Sequence, residues 1–222
     1  MRYLTSFRTF FREFREEFRT TGSMLPSSRF LGRALVTDMH QPRGPWRILE
    51  VGPGTGPVTE AILRRLRPGD QLDIVEINER FIKVLRERFA REPLFRTRRH
   101  QVRLIHSPLQ EVPGESVYDF LVSGLPLNNF SVSLVRDIFK AYQRLLKPGG
   151  ILSYFEYALI RQLKIPFARR RERKRLRCVG RLVNQNNRAY QFRADMVLFN
   201  APPAVARHLR FTTPLPALPQ LG

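Results

Sequence analysis

The chain has 222 residues, of which 42% are hydrophobic, enough for one domain with a core and a short appendage. Its 39 lysines and arginines against 19 acidic residues give a net charge of +20, which predicts attraction to polyanions such as nucleic acid or anionic membrane. A single cysteine, Cys178, excludes an internal disulfide and fits a reducing compartment. No apolar run approaches the roughly 18 residues of a spanning helix, and we expect no secretory signal.

The first predicted element is an amphipathic helix over residues 3–19, YLTSFRTFFREFREEFR. Its apolar side chains fall within an arc of about 120°, with arginines along one flank and three glutamates on the far face. An interfacial helix on anionic lipid has this arrangement, and so does a surface helix that packs its aromatic face on the domain. We expect residues 1–22 to lie on a membrane or to cover the functional site, with the main domain at 23–211 and an irregular proline-rich tail at 212–222.

Strands and helices alternate through the centre of the chain, which predicts an α/β domain with a doubly wound, mostly parallel sheet and helices on both faces. A helix at about 29–39 precedes this alternation. The alternating elements are strand 47–51, helix 57–66, strand 71–76, helix 79–90, strands 102–106 and 118–123, helix 131–146 and strand 150–157. After residue 160 the alternation stops. A basic run at 169–177 follows, and two antiparallel strands are expected near 192–199 and 205–211.

The strand–turn–helix unit at 47–63, RILEVGPGTGPVTEAIL, carries the most informative motif. Gly52, Gly54 and Gly56 stand between an apolar strand and a helix, as in the nucleotide cradles of βαβ units. A dinucleotide fold needs glycine where this chain has Pro57, so that interpretation is excluded. Alternate glycines with an acid, Glu50, two residues before the first are typical of S-adenosylmethionine sites, with an ordinary strand-to-helix turn as the alternative.

The ends of the next two strands add polar groups at the same edge of the sheet. Glu76 follows the last glycine of the motif by twenty residues, and an ionised acid there can accept hydrogen bonds from both hydroxyls of a ribose. A charge at a helix N-terminus is the alternative. Methyltransferases often place an acid after the third strand to bind the adenine amino group; here Ser107 or a backbone group must take that role. His106 is a candidate base, or a structural histidine.

The fourth strand ends in a proline-containing turn, SGLPLNNF, at 123–130. Its backbone carbonyls and the side-chain amides of Asn128 or Asn129 can accept hydrogen bonds from an amine. A plain loop with asparagines in turn positions is the alternative.

These motifs together resemble bacterial phospholipid N-methyltransferases, which methylate phosphatidylethanolamine stepwise towards phosphatidylcholine. The similar stretches are EVGPGTG, VEIN, SGLPLNNF, LLKPGG, FEYALI, the late VLFNAPPAV and the early GSMLPSS, and they run from about Phe7 to Arg207. The glycine motif is shared by all class I methyltransferases, whereas SGLPLNNF and NAPPA are more selective. FEYALI departs from the family's usual phenylalanine-threonine-tyrosine-glycine segment.

The resemblance implies a Rossmann-like class I methyltransferase fold, with a seven-stranded sheet, an antiparallel C-terminal strand and N-terminal helices. It implies S-adenosylmethionine as cofactor, and no metal is expected. The residues expected to hold the cofactor are Glu50, Gly52, Pro53, Gly54, Gly56, Glu76, Ile77, Ser107, Ser123, Gly124 and Leu125. Those expected on the acceptor side are Tyr157 and Asn128 as catalytic residues, and Pro126, Leu127, Asn129, Phe130, Arg8 and Arg12 as substrate-binding residues.

Methyl transfer is an in-line displacement in which the amine nitrogen attacks and the thioether leaves, so the protein mainly positions the reactants. The amine, with a pKa near 10, must lose a proton before it attacks. Tyr157 and Phe130 are expected to stabilise the methylated cation, and arginines of the 169–177 run, or Arg8, Arg12 and Arg15, to hold the lipid phosphate. The expected partners are phospholipid and an anionic membrane surface, with the chain peripheral on the cytoplasmic face and no obligatory protein partner.

Two other functions remain open besides a small-amine methyltransferase, which would not need the phenylalanine-arginine helix at 3–19. An RNA (adenine-N6) methyltransferase fits the net charge, and the ribosomal RNA adenine dimethylases are wider relatives. Their fourth-strand motif, Asn-Leu-Pro-Tyr, holds the adenine, whereas this chain has Gly124-Leu125-Pro126-Leu127, which argues against nucleic acid as the substrate. A non-enzymatic, membrane-peripheral protein with a retained fold is the other alternative, and the intact glycine motif disfavours it.

Overall fold

A computed structural model describes residues 29–40, 44–158, 170–200 and 202–211. The predicted helix 3–19, with Arg8 and Arg12, and the predicted tail 212–222 lie outside the described residues. The described helices are α1 (Arg29–Leu35), α2 (Pro57–Leu63), α3 (Glu79–Arg91), α4 (Pro93–Arg98), α5 (Val132–Leu145) and α6 (Arg170–Tyr190). The strands are β1 (Arg47–Val51), β2 (Gln71–Glu76), β3 (Val102–His106), β4 (Tyr118–Ser123), β5 (Leu146–Tyr157), β6 (Gln191–Val197) and β7 (Ala204–Arg210).

The seven strands form one sheet in the order β3-β2-β1-β4-β5-β7-β6. Strands β1 to β5 are parallel, and β7 runs antiparallel to both β5 and β6. This arrangement confirms the predicted doubly wound, mostly parallel sheet with an antiparallel C-terminal strand. The strand order reverses between β1 and β4, and Val51 at the end of β1 pairs with both Val75 and Ser123. The carboxyl ends of these strands therefore meet at the switch point, where ligands bind in such sheets.

The core consists of two apolar layers, one on each face of the sheet. Alternate residues of each central strand enter opposite layers, as with Ile48 and Leu49 of β1. Helices α1 to α4 cover the Ile48 face, and α5 and α6 cover the Leu49 face. Both faces of the sheet are thus enclosed by helices, so the site for a ligand is expected at the carboxyl ends of its strands.

Local sequence explains where the helices around the site begin. Pro57 occupies the first turn of α2, where its missing N–H has no intrahelical partner to lose. The side chain of Asn78 caps α3 by accepting a hydrogen bond from the N–H of Arg80 at 2.9 Å. Ser131 caps α5 in the same way, through the N–H of Leu134 at 3.3 Å. These caps fix the points at which the chain leaves β2 and β4.

Three features differ from the expectation. Helix α4 fills a stretch left unassigned after the predicted helix 79–90, and β5 begins at Leu146 rather than at 150. Residues 170–177 of the basic run form the first part of a long helix, α6, whose buried side includes Leu176, Val179 and Val183. The seven basic residues among the nine of that run hid this apolar spacing, because the burial that stabilises the helix comes from tertiary packing.

Within the residues described, no helix combines the length and the apolar character needed to cross a bilayer.

Candidate methyl-donor and acceptor site

The glycine turn after β1 adopts a backbone that ordinary side chains would strain. Gly52, Gly54 and Gly56 have φ angles of 66°, 59° and 89°. A Cβ atom at Gly54 would meet nothing within 4 Å, so this side of the turn is open to a ligand. A Cβ at Gly56 would lie 2.8 Å from Arg88 Nη1. The turn therefore presents bare backbone to one side and packs tightly on the other.

Arg88 of α3 supports the turn from that packed side. Its Nη1 donates to the carbonyl oxygen of Thr55 at 2.9 Å, and its Nε and Nη2 bind both oxygens of Glu92 at 2.6 and 2.7 Å. The guanidinium also lies 4.0 Å from the centroid of the Phe95 ring. A side chain held at three points is a rigid brace, so Arg88 fixes the glycine turn in place.

Glu76 ends β2 directly beneath the turn. Its Oε1 accepts a hydrogen bond from the N–H of Asn78 at 2.8 Å, and its Oε2 accepts one from the N–H of Gly54 at 3.3 Å. Burial nevertheless raises the pKa of Glu76 from 4.5 to about 7. The carboxyl group keeps unused lone pairs, and hydroxyl donors such as those of a ribose would favour its ionised form.

Glu50 is a second buried acid of the same site, 1% exposed. Its Oε2 accepts a hydrogen bond from the Thr59 hydroxyl at 2.7 Å, while its Oε1 has no hydrogen-bond partner among the described residues. Burial, with a smaller contribution from the charge of Glu76, raises the pKa of Glu50 to about 8. An orphaned buried oxygen is uncommon, and it indicates that a donor or a cation belongs there. S-adenosylmethionine, with ribose hydroxyls, an ammonium group and a sulfonium, fits both acids.

The third strand contributes less than expected. Ser107 donates its hydroxyl to the carbonyl oxygen of Pro108 at 2.8 Å, which leaves only its lone pairs for an adenine amino group. The Nε2 atom of His106 lies 3.0 Å from the carbonyl oxygen of Ile77. His106 therefore holds the backbone after β2 in position, a structural use of the histidine.

The turn after β4 touches the glycine turn through the backbone. The N–H of Gly124 donates to the carbonyl oxygen of Val51 at 2.8 Å, and a Cβ at Gly124 would collide with the carbonyl oxygen of Gly52. The hydroxyl of Ser123 lies 2.6 Å from that of Tyr142 and accepts a hydrogen bond from the N–H of Leu125 at 3.2 Å. Donor and acceptor turns are thus held together at the edge of the sheet.

The acceptor loop, residues 124–130, is divided between core and surface. Leu125, Leu127 and Phe130 are 7%, 3% and 1% exposed and belong to the layer under α5. The predicted contact between the Phe130 ring and a methylated cation is therefore not supported, because the ring is enclosed by the core. The partly exposed members of the loop are Gly124, Pro126, Asn128 and Asn129.

Arg175 of α6 anchors this loop from outside. Its Nη1 donates to the carbonyl oxygens of Asn128, at 2.9 Å, and of Phe130. Its Nε and Nη2 bind both oxygens of Glu172, at 2.8 and 2.6 Å, so the guanidinium is held in orientation. The Asn128 carbonyl is thus occupied, and the side chains of Asn128 and Asn129 remain for an amine.

Tyr157 is the last residue of β5, at the edge where it was predicted. Its ring packs against Phe155 with centroids 5.2 Å apart, in the layer under α1, whereas Phe130 lies in the layer under α5. Burial raises the pKa of Tyr157, so the ring stays uncharged. The two aromatic residues expected to act together therefore lie on opposite faces of the sheet and form no joint cage.

Sequence reasoning missed four residues of the site: Thr59, Arg88, Tyr142 and Arg175. Each acts over a separation of nine to 47 residues in sequence. The i,i+4 pairing of Arg88 with Glu92 and the position of Thr59 in the first turn of α2 were the local signals available.

Comparison with known proteins agrees with this geometry. A family profile described as a methyltransferase domain matches residues 48–150, the stretch that contains the glycine turn, both acids and the acceptor loop. The fold is that of a class I methyltransferase. The cofactor of this protein is S-adenosylmethionine. The methyltransferase profile and the fit of the two acids to that molecule carry this assignment.

Individual relatives extend the likeness. The chain is 36% identical to an ornithine lipid N-methyltransferase of Singulisphaera acidiphila over 132 residues, which are 58% of this chain and 66% of that protein. It is 34% identical to the ribosomal RNA small subunit methyltransferase A of Parasynechococcus marenigrum over 45% of this chain and 34% of that protein. The match thus spans about a third of the RNA enzyme. The solved structure of the O-methyltransferase TomG from Streptomyces achromogenes, in complex with S-adenosylmethionine, shares the fold with a TM-score of 0.60 at 15% identity, covering 88% of this chain and 86% of that one.

Proposed function

We propose that this methyltransferase transfers methyl groups to the amine of a membrane lipid, namely phosphatidylethanolamine and its monomethyl and dimethyl forms, towards phosphatidylcholine. The observation that carries the proposal is the 36% identity to an ornithine lipid N-methyltransferase. Ornithine lipid and phosphatidylethanolamine both present an amine beside a lipid anchor. The resemblance of SGLPLNNF and NAPPA to phospholipid N-methyltransferases favours a phospholipid over ornithine lipid.

The acceptor loop suits an amine of this kind. Its partly exposed side-chain amides, those of Asn128 and Asn129, offer oxygen acceptors that orient a donor N–H towards the cofactor. The amine reaches the site in its neutral form once it leaves water for a partly apolar edge next to a cationic sulfonium, since both changes lower its pKa. Transfer then requires only that nitrogen, methyl carbon and sulfur be held in line.

A second candidate, methylation of adenine in RNA, is favoured by the net charge of +20 and by the 34% identity to a ribosomal RNA methyltransferase. The structure of the acceptor loop disfavours an RNA substrate. Leu125 and Leu127 are buried side chains in the layer under α5, so the loop offers no aromatic face on which a flipped base would stack.

One incubation separates these candidates. The purified chain is mixed with S-adenosylmethionine labelled on its methyl group and, in parallel, with detergent micelles of phosphatidylethanolamine, its monomethyl or dimethyl form, or ornithine lipid, and with ribosomal RNA. We expect label in the phosphatidylethanolamine series. Label confined to ornithine lipid would make ornithine lipid the substrate instead of phosphatidylethanolamine. Label found only in RNA would overturn the proposal. A Glu76→Gln preparation, which loses cofactor affinity, controls for methyltransferases carried over from the expression host.

We also propose that the chain acts as a peripheral protein on the cytoplasmic face of the membrane. The predicted amphipathic helix at 3–19 motivates this proposal. Deletion of residues 1–20 should weaken binding to anionic vesicles and leave cofactor binding intact. Unchanged vesicle binding would remove the membrane role of that segment.

A further inference from the structure

Helix α6 presents a basic stripe on its exposed side. Five cationic residues follow one another at three-, four- or seven-residue spacing, which returns each to the same side of the helix. At 1.5 Å per residue the stripe is about 27 Å long. We call these residues the basic ridge: Arg170, Lys174, Arg177, Arg181 and Arg188.

The opposite side of α6 is fixed in the protein. Leu176, Val179 and Val183 are 2%, 0% and 1% exposed in the layer shared with α5. Asn187 adds a polar anchor, because its Oδ1 accepts a hydrogen bond from the buried hydroxyl of Tyr154 on β5. The helix therefore cannot roll to hide its charges, and the basic ridge points outwards.

The charges of the ridge are uncompensated within the described part of the chain. No ridge residue forms an ion pair there, and Glu172, the acid of the same helix, is bound by Arg175. Like charges three or four positions apart repel on a helix surface, and Lys174, Arg177 and Arg181 are spaced in this way. Local repulsion of this kind indicates a functional surface, and an anionic partner bound to the ridge would relieve the repulsion.

The ridge is connected to the site by Arg175, one residue after Lys174. As described above, Arg175 binds the carbonyl oxygens of Asn128 and Phe130 in the acceptor loop. Whatever the ridge contacts is thus held at a fixed position relative to the loop that receives the methyl acceptor.

We propose that the basic ridge docks on an anionic phospholipid surface and holds the acceptor loop at the lipid head groups. This inference rests on the proposed lipid substrate and assigns the membrane contact to α6, independently of the N-terminal segment. A straight, outward-facing row of cations suits a planar array of phosphates. Nucleic acid is disfavoured because α6 exposes no aromatic side chain; its one aromatic residue, Tyr190, is 6% exposed.

The test compares two full-length variants that remove the same number of charges. Lys174→Gln/Arg177→Gln/Arg181→Gln removes the centre of the ridge. Arg65→Gln/Arg86→Gln/Arg91→Gln, all at exposed positions near α2 and on α3, is the matched control. Each variant is sedimented with phosphatidylcholine vesicles that contain or lack phosphatidylglycerol. Since each cation near such a surface contributes roughly five-fold in affinity, the ridge variant should bind anionic vesicles about 100-fold more weakly, and the control at most a few-fold.

Equal losses in both variants would show that net charge alone matters, and an unchanged ridge variant would show that the ridge does not dock; either result overturns the proposal. A ridge variant that loses affinity for a structured RNA but not for vesicles would also overturn it. Cofactor binding should match the wild type, and the ridge variant should unfold at the same or a slightly higher temperature because the repulsion between its cations is relieved. If the triple variant is unstable, Arg177→Gln alone should still show the five-fold loss.

The outcome is separable from the proposed function, because vesicle binding needs no methyl transfer. Ridge-dependent docking without lipid methylation would leave the docking surface and remove the proposed substrate. If the protein methylates lipid in detergent micelles but the ridge substitutions do not change vesicle binding, the proposed substrate stands and the docking surface is removed.

Discussion

Substitution of Glu76 by glutamine should change stability and cofactor affinity in opposite directions. The carboxyl group is 3% exposed, and burial raises its pKa from 4.5 to about 7 despite the hydrogen bonds from Asn78 and Gly54. Above that pKa the fold encloses a negative charge that the unfolded chain exposes to water. Glutamine keeps the shape of the side chain and removes the charge.

The size of the effect on stability follows from that shift. A rise from 4.5 to about 7 makes ionised Glu76 lower the free energy of unfolding by about 3 kcal/mol at pH 8, at about 1.4 kcal/mol per unit. The penalty is absent below pH 4.5, where the acid is protonated in both states, and develops as the pH rises to about 7. Glutamine gives up one backbone hydrogen bond, worth about 1 kcal/mol. We expect a net stabilisation of about 2 kcal/mol at pH 8 and almost none near pH 5.

Cofactor binding should respond the other way. Hydrogen bonds from ribose hydroxyls to a carboxylate contribute about 1.5–3 kcal/mol each, so glutamine at position 76 should raise the Kd for S-adenosylmethionine roughly 10- to 100-fold at pH 8. The affinity of the wild type should itself rise between about pH 6 and pH 8, because the donors favour ionised Glu76. The Glu76→Gln variant should lack this rise in affinity with pH.

Two measurements test this prediction: thermal unfolding without cofactor from about pH 5 to pH 8, and calorimetric titration with S-adenosylmethionine. Glu79→Gln is the control, since it makes the same change in a side chain that is 67% exposed. A Glu76→Gln protein that melts below the wild type at pH 8, or that binds cofactor equally well, would refute the reasoning.

Two further predictions concern residues behind the turns. Arg88→Ala should weaken cofactor binding roughly five- to ten-fold in calorimetry, because the glycine turn loses its hydrogen bond at the Thr55 carbonyl, while Arg86→Ala on the exposed side of the same helix should not. Tyr142→Phe should lower the free energy of unfolding by about 1 kcal/mol in denaturant titration and reduce kcat for methyl transfer to the proposed lipid acceptor, because Ser123 loses the hydroxyl that holds it. An unchanged kcat would separate Ser123 from the positioning of the acceptor loop.

The parallel half of the fold could be predicted because its signals are local. Apolar strands and amphipathic helices alternate along this half of the chain, and the glycine turn after β1 and the acid that ends β2 can be identified directly from the sequence. The seven-stranded sheet and its antiparallel C-terminal strand followed from the family resemblance and are confirmed by the structure.

What could not be predicted depends on packing between distant segments. Helix α6 was missed because seven cations in nine residues conceal its apolar side, and only burial against α5 and β5 stabilises it. The brace from Arg88 to Thr55 and the anchor from Arg175 to Asn128 span 33 and 47 residues of sequence, so no short-range pattern encodes them. Phe130 was assigned to the substrate because the spacing of a loop does not tell which side chains turn inwards.

The joint between the donor and acceptor turns consists of backbone atoms. Gly124 meets Val51 through an N–H and a carbonyl, and the bare Cα of Gly124 lies against the Gly52 carbonyl. Such a joint constrains position 124, and the core constrains Leu125, Leu127 and Phe130. The positions free to vary are therefore the partly exposed Pro126, Asn128 and Asn129: a lineage, or an engineer, can change them to admit a different methyl acceptor while the donor machinery stays unaltered.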